Sequence, residues 1–381
     1  MTLFCDHNAG SPIRPEVAEA VAATLRLGGN PSSVHSVGRK ARAAVERARA
    51  QVARLVGASA DLVVFTGSGS EANNMALAGG AWASVLVSAV EHPSVLATVP
   101  GAIVVPVDAD GVIDLVAFED IIATAPAPAL VSVMLANNET GVLQPVDDVA
   151  RIAHRYGALV HTDAVQAAGR VALDMGRLDT DMLTLSAHKI GGPQGVGALL
   201  VKDHVRIEPL IRGGGQEKRR RAGTENVAGI VGFGVAADGA VESLPDAARV
   251  STLRDRLEAR LMGAASDVRL YGARVGRLGN TSCVGMPGVA GETQVMAFDL
   301  AGIALSAGAA CSSGKVETSH VLRAMGVSEP AAGEAIRISF GPTNQDADID
   351  AVATVWQGLY CRTRSGHNLG YEELAAVGAA A

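Results

Sequence analysis

The stretch Leu62-Val-Val-Phe-Thr-Gly-Ser-Gly-Ser-Glu-Ala-Asn-Asn74 runs from a short apolar strand, through glycines, into a helical segment. A glycine turn between strand and helix presents backbone N–H groups at the positive end of a helix dipole, which is an anion site suited to a phosphate. Gly67, Gly69 and Ala72 also match the dinucleotide fingerprint G-x-G-x-x-A, with Glu91 about twenty residues on. A plain tight turn into a helix is the third reading. Outward from this turn, strand and helix patterns alternate. Apolar runs stand at Val85–Val87, Ile103–Val105, Leu130–Leu135, Ala158–His161 and Met182–Leu185. Between them, Val37, Ala41, Ala44, Val45, Ala48, Val52 and Leu55 recur at helical spacing, and Pro145–Tyr156 reads as a helix with Pro145 in its first turn. Such alternation predicts an α/β fold with a mostly parallel sheet covered on both faces. From Glu225 to Ala265 the pattern is strongly helical. Ala335–Phe340 reads as apolar, Asp346–Arg362 as a helix, and the Gly/Ala-rich Ser365–Ala381 as a frayed tail.

The 381 residues suit one large domain and a smaller one, divided near residue 262. Mean hydropathy is +0.25, much of it alanine, and no run of eighteen apolar residues suggests a spanning helix. The first residues lack a secretory pattern. A net charge of -7 gives no reason to expect nucleic-acid binding. Cys5, Cys283, Cys311 and Cys361 form no C-x-x-C pair, which speaks against a zinc ribbon or disulfide framework and for a reducing cytoplasm. Cys283 and Cys361 read as small buried apolar residues.

Three further segments carry chemical groups. Asp163 ends an apolar strand in His161-Thr-Asp-Ala-Val-Gln166, at the sheet edge where α/β ligands bind, and suits a cationic ring nitrogen. His161-x-Asp163 as metal ligands lacks a third ligand at useful spacing, so no metal is expected. Lys189 follows another strand in Leu183-Thr-Leu-Ser-Ala-His-Lys189, between a hydroxyl, an imidazole and a glycine turn. That setting suits a Schiff-base lysine, with a solvated surface lysine as the alternative. Cys311 lies among small residues in Ser306-Ala-Gly-Ala-Ala-Cys-Ser-Ser-Gly314, which suits a mobile, accessible thiol. Arg337, inside the apolar Ala335–Phe340 run, needs a partner: a substrate carboxylate or a structural salt bridge.

Taken together these segments resemble the cysteine desulfurases of the NifS/IscS group, among the fold-type I enzymes that use pyridoxal 5'-phosphate (PLP). The resemblance runs over nearly the whole chain. It includes Asn30–Gly38, Gly69-Ser-Glu-Ala-Asn73, Glu91-His-Pro-Ser-Val95, Asn137-Asn-Glu-Thr-Gly141, His161–Gln166, Ser186–Lys189, Arg221-Ala-Gly-Thr-Glu-Asn226 and Cys311-Ser-Ser-Gly314. It favours PLP phosphate over a dinucleotide at the glycine turn. It implies a large PLP-binding domain (14–261) with a mainly parallel seven-stranded sheet sandwiched by helices. A smaller α+β C-terminal domain (262–381, with 1–13) would carry the cysteine loop. Lys189 would hold the cofactor, Asp163 pair with the ring nitrogen and His92 stack on the ring. Asn138 and Gln166 would bond the ring's oxygen side. Gly69, Ser70, Ser186 and His188 would hold the phosphate, and Thr224 would reach it across a homodimer interface. Arg337, with Asn138, would bind substrate L-cysteine. Lys189 would then take the Cα proton and Cys311 the sulfur, as a persulfide destined for an iron–sulfur scaffold or other acceptor protein, leaving alanine. An aminotransferase or a selenocysteine lyase on the same fold is the alternative. Asp6-His-Asn-Ala-Gly-Ser11 and Gln194 depart from the family pattern.

Overall fold

A computed structural model describes residues 2–308 and 318–364. After a two-residue strand β1 (Leu3–Phe4), the chain builds a seven-stranded sheet from β2 (Val63–Thr66), β3 (Ser84–Ser88), β4 (Ile103–Val105), β5 (Ala129–Ser132), β6 (Leu159–Asp163), β7 (Met182–Ser186) and β8 (Gly197–Val201). The spatial order is β2-β8-β7-β6-β5-β3-β4. β8 runs antiparallel to both its neighbours, and the other pairs are parallel.

Apolar residues occupy both faces of these strands, as a sheet covered on both sides requires. Phe65, Val131, Leu183 and Leu200 point into a core shared with helices Ser36–Leu55 and Val227–Glu242. Their strand neighbours Val64, Leu130, Met182 and Leu199 point the other way, onto helix Gly69–Ala78. The two helices of the first face approach so closely that a Cβ on Gly234 would lie 2.7 Å from the Cα of Ala48. His161 crosses three strands: its Nδ1 is 2.9 Å from Ser132 Oγ on β5, and its Nε2 is 2.9 Å from Thr184 Oγ1 on β7.

The C-terminal part is a second packed unit. β9 (Arg269–Tyr271), β10 (Thr281–Gly285), β12 (Ser306–Ala307) and β13 (Ala335–Ser339) form an antiparallel sheet, order β12-β13-β10-β9, while β11 (Ile303–Ala304) pairs in parallel with β1. Phe298, Ile338 and Trp356 centre its core. The helical run read from Glu225 to Ala265 is two helices, Val227–Glu242 and Ala247–Ala264, separated by a turn at Leu244–Asp246. The second helix, which runs across residue 262, sends Val250, Leu253, Leu257 and Leu261 into this second core. Pro145 caps its helix from outside rather than entering the first turn. Cys283 is buried as expected, but Cys361 is exposed, because helix Asp346–Arg364 buries Leu359 and turns Cys361 outward.

Burial pushes the pKa of His161 down to about 3, against an ordinary value of 6.5. Between those values the unfolded chain holds the extra proton, so stability falls as pH falls, by about 1.4 kcal/mol per pH unit. His7 and His188, each pushed down to about 4 mainly by burial, act in the same direction. Glu91, pushed up by burial, opposes them. Urea unfolding midpoints are therefore expected to drop from pH 6.5 to 4.5. A His161→Gln protein should start less stable but show a slope shallower by about one proton. An unchanged slope would contradict a neutral buried imidazole.

Candidate active site

Strands β6 and β7 lie parallel, and β2, antiparallel to β8, runs the same way. Their carboxyl ends therefore meet at one edge, where open α/β sheets bind ligands. At the end of β2, Ser68 caps helix Gly69–Ala78 and its Oγ accepts from Glu71 N at 3.0 Å. Glu71 folds back so that Oε2 accepts from Gly67 N at 2.7 Å, and its carboxylate pairs with Arg221 Nε at 2.9 Å. The N–H groups of Gly69 and Ser70 sit in the helix's first turn, where no intrahelical acceptor exists. At Gly69 a Cβ would come within 3.1 Å of Val165 Cγ2 and 3.2 Å of Ser186 Cβ, so the backbone is pressed directly against the end of β7. There Ser186 Oγ lies 2.9 Å from His188 Nδ1. Two backbone donors, a hydroxyl and an imidazole thus converge on one spot, a donor set that fits a phosphate.

Asp163 ends β6 almost wholly buried. Its Oδ1 accepts from Val165 N at 2.9 Å and its Oδ2 from Asn73 Nδ2 at 2.7 Å. Asn73 spends its second amide hydrogen on Ser94 Oγ, at 2.9 Å, and Ser94 in turn meets His92 Nδ1 through both its hydroxyl (2.8 Å) and its N–H (3.1 Å). Since Nδ1 accepts from that N–H, the proton of the neutral ring is on Nε2. Burial holds the pKa of His92 below its ordinary value. Nearby Lys189 and His320 push it the same way and Asp163 pushes it back. Asp163, Lys189 and His320 therefore all lie close enough to act on the His92 ring. Glu91, the ribose acid of the dinucleotide reading, is fully buried with Oε1 accepting from Met134 N at 2.6 Å, so it faces no ligand.

Lys189 ends the turn Ala187–Lys189 that follows β7. Its Nζ donates to the carbonyls of Asn8 and Ala9, the latter at 2.8 Å. The Asn8 carbonyl also accepts from Gln166 Nε2 at 3.0 Å, and Gln166 Oε1 accepts from Arg170. Arg337, on β13, is buried. Its Nη1 donates to the Asn138 carbonyl at 3.1 Å and its Nη2 to Asp6 Oδ1 at 2.6 Å.

The residues read from the sequence are thus largely brought together at one edge. Thr224 is not shown to reach them: it is exposed, three residues beyond the Arg221 that grips Glu71. Cys311 lies outside the described residues. A cavity of about 290 Å³ also opens beside Lys189, lined by Ser11, Arg170, Ile190 and Phe340 among others. Among the described residues expected at the site, only Lys189 borders it. Sequence reasoning quoted Asn73, Ser94, Asn8 and Asp6 within motifs without giving them a role. Each acts through a partner remote in the chain, which no local spacing reveals. His320, whose Nε2 lies 2.9 Å from the Glu91 carbonyl, was not singled out.

Comparison with known proteins agrees with this geometry. The family model described as aminotransferase class-V matches residues 3–352. A cysteine desulfurase of Cereibacter sphaeroides is 44% identical over 98% of this chain and 99% of its own. An IscS-like cysteine desulfurase of Mycobacterium tuberculosis is 39% identical over 99% of both. The X-ray structure of a NifS-like protein from Rickettsia africae superposes with a TM-score of 0.88 at 36% identity, covering 95% of this chain and 100% of the other. A structure of SspA in complex with cysteine gives 0.77 at 30% identity, covering 90% and 100%. With the phosphate cradle, the buried aspartate and the strand-end lysine in place, the chain belongs to the aminotransferase class-V family of PLP-dependent enzymes, alongside its cysteine desulfurases.

Proposed function

We propose that this protein is a cysteine desulfurase that converts L-cysteine to L-alanine and passes the sulfur to Cys311. The observation that carries this reading is the convergence of Lys189, Asp163 and the Gly69–Ser186 cradle at one sheet edge, in a chain whose relatives bear that name. When bound, PLP supplies an electron sink for the charge left on the substrate Cα as its proton departs. The chain's own residues do the rest. Gly69, Ser70, Ser186 and His188 would hold the phosphate, and Asp163, already supplied with two N–H donors, would pair with the ring nitrogen. His92, whose pKa burial holds below its ordinary value, would stack on the ring. Asn138 and Gln166 would bond the ring's oxygen side. Arg337 orients the substrate through its carboxylate, and Lys189 Nζ, once free, takes the Cα proton. The Cys311 thiolate attacks the substrate sulfur, the Cβ–S bond breaks, and a persulfide remains on the enzyme.

Two of the other three cysteines are poorly suited to receive the sulfur. The Cys5 thiol is pushed up to about 12, chiefly by burial, and that of Cys283 higher still for the same reason. Neither offers a thiolate near neutral pH. Cys361 stands at the outer end of helix Asp346–Arg364. The persulfide then serves an iron–sulfur scaffold or another acceptor protein in the cytoplasm. The exposed Thr224 is suited to complete the phosphate site of a second copy in a homodimer.

Purified, PLP-loaded protein given L-cysteine and a reducing thiol is expected to release alanine and sulfide in equal amounts. Lys189→Ala and Cys311→Ala should each lose at least about 100-fold of this activity, by the scale of losing a reacting group. Full turnover in Cys311→Ala would instead favour an aminotransferase. Asn73→Ala should weaken PLP retention about ten-fold, the scale of one hydrogen bond to a charged group, read by absorbance titration of the apoprotein. Unchanged retention would show that Asn73 does not support the ring-facing carboxylate.

A further inference from the structure

Arg337 has five N–H hydrogens in a planar fork. Nη1 spends one on the Asn138 carbonyl and Nη2 spends one on Asp6 Oδ1. Nε–H, which has no partner among the described residues, and one hydrogen on each Nη then remain, enough for a side-by-side grip on a carboxylate. For that grip to work, the guanidinium plane must already be set. Asp6 is placed to set it. Its backbone bridges in parallel to Ser339, two residues along β13 from Arg337. His7 N and Ser339 N lock the same crossing, at 3.2 Å to Ser339 O and 2.8 Å to Cys5 O. The other carboxylate oxygen, Oδ2, accepts from Ser306 Oγ at 2.7 Å. With both oxygens committed, Asp6 holds one orientation. Its side chain is 16% exposed and that of Arg337 4%, so little water competes.

We propose that Asp6 is a positioning residue for substrate recognition, fixing the Arg337 fork for the α-carboxylate of an amino acid. The inference rests on the role given to Arg337 in the proposed function, but not on desulfuration itself. Its test can therefore use a ligand with a carboxylate and no sulfur. Binding of L-alanine and of ethylamine, which lacks the carboxylate, would be read from the visible absorbance of PLP-loaded wild type, Asp6→Ala and Asp6→Asn. Asp6→Ala is expected to weaken L-alanine at least about ten-fold and to leave ethylamine within about two-fold, the scale of losing a charge-assisted contact. Asp6→Asn, whose amide oxygen can accept the same Nη2 hydrogen, should recover most of the loss. Should Asp6→Ala fail to fold, Asp6→Ser, too short to reach Nη2, takes its place with the same expected loss for L-alanine alone. Equal weakening of both ligands, or no change for L-alanine, would overturn the proposal. A protein that binds L-alanine in this pattern yet releases no sulfide would retain the positioning role and lose the desulfurase reading.

Discussion

A carboxylate in a protein interior must be given hydrogen-bond donors, because an unpaired buried charge is far too costly to keep. Asp163 is such a group, and the site is arranged around how its donors are supplied. One comes from the next turn of its own strand end, through Val165 N, and the other from Asn73 on the helix after the glycine turn. Asn73 has a second hydrogen to place, and it goes to Ser94, which fixes His92. A single buried carboxylate thus ties together the ends of β2, β3 and β6, and through Asn73 the helix Gly69–Ala78.

The same requirement governs the opposite wall. Arg337 is as deeply buried as Asp163, and it too must be partnered before any ligand arrives. Its partners come from two different parts of the chain: Asp6 from the N-terminal segment and the Asn138 carbonyl from the loop after β5. That loop is held from the other side as well, since Glu139 accepts from Ser319. Ser319 caps the short helix His320–Ala324, whose first residue bonds the Glu91 carbonyl beside His92. The Arg337 side and the His92 side are therefore joined through short polar bridges, which lie beside an apolar cluster of Val90, Cys283, Val321, Leu322 and Ala335.

Most of the architecture was legible in the residues, because both strand alternation and helical spacing are local. The strands from β2 to β7 and the helix Ser36–Leu55 follow from that pattern. The glycine turn, Asp163 and Lys189 were legible because they sit at strand ends, and strand ends can be located. β8 was missed: Gly197–Val201 follows a glycine loop so closely that its apolar run reads as the tail of the loop. The break at Leu244–Asp246 was overlooked although Pro245, which cannot continue a helix from the residues before it, marks the place. The Arg337–Asp6 pair was out of reach for a different reason. A buried arginine announces that it needs a partner, but nothing within a few residues says which, and the partner lies 331 residues away.

The N-terminal segment has a bearing on how the molecule is assembled. Residues 3–9 touch Lys189, Gln166, the Asn138 carbonyl and Arg337. β1 pairs with β11, Asp6 with Arg337, and the Asn8 and Ala9 carbonyls receive Lys189. On a ribosome these residues emerge before any of those partners exists, and the last of them, β13, is made more than three hundred residues later. The seven-stranded sheet can be complete well before then, since domains fold as units during synthesis. Closing so long a loop adds little entropy cost beyond that of a moderate one, because the cost grows only logarithmically. Contacts of such sequence separation are nonetheless slow to form. The chain is thus expected to pass through a stage with a folded sheet and an unfinished active site, in which Lys189 and Arg337 await the segment synthesised first.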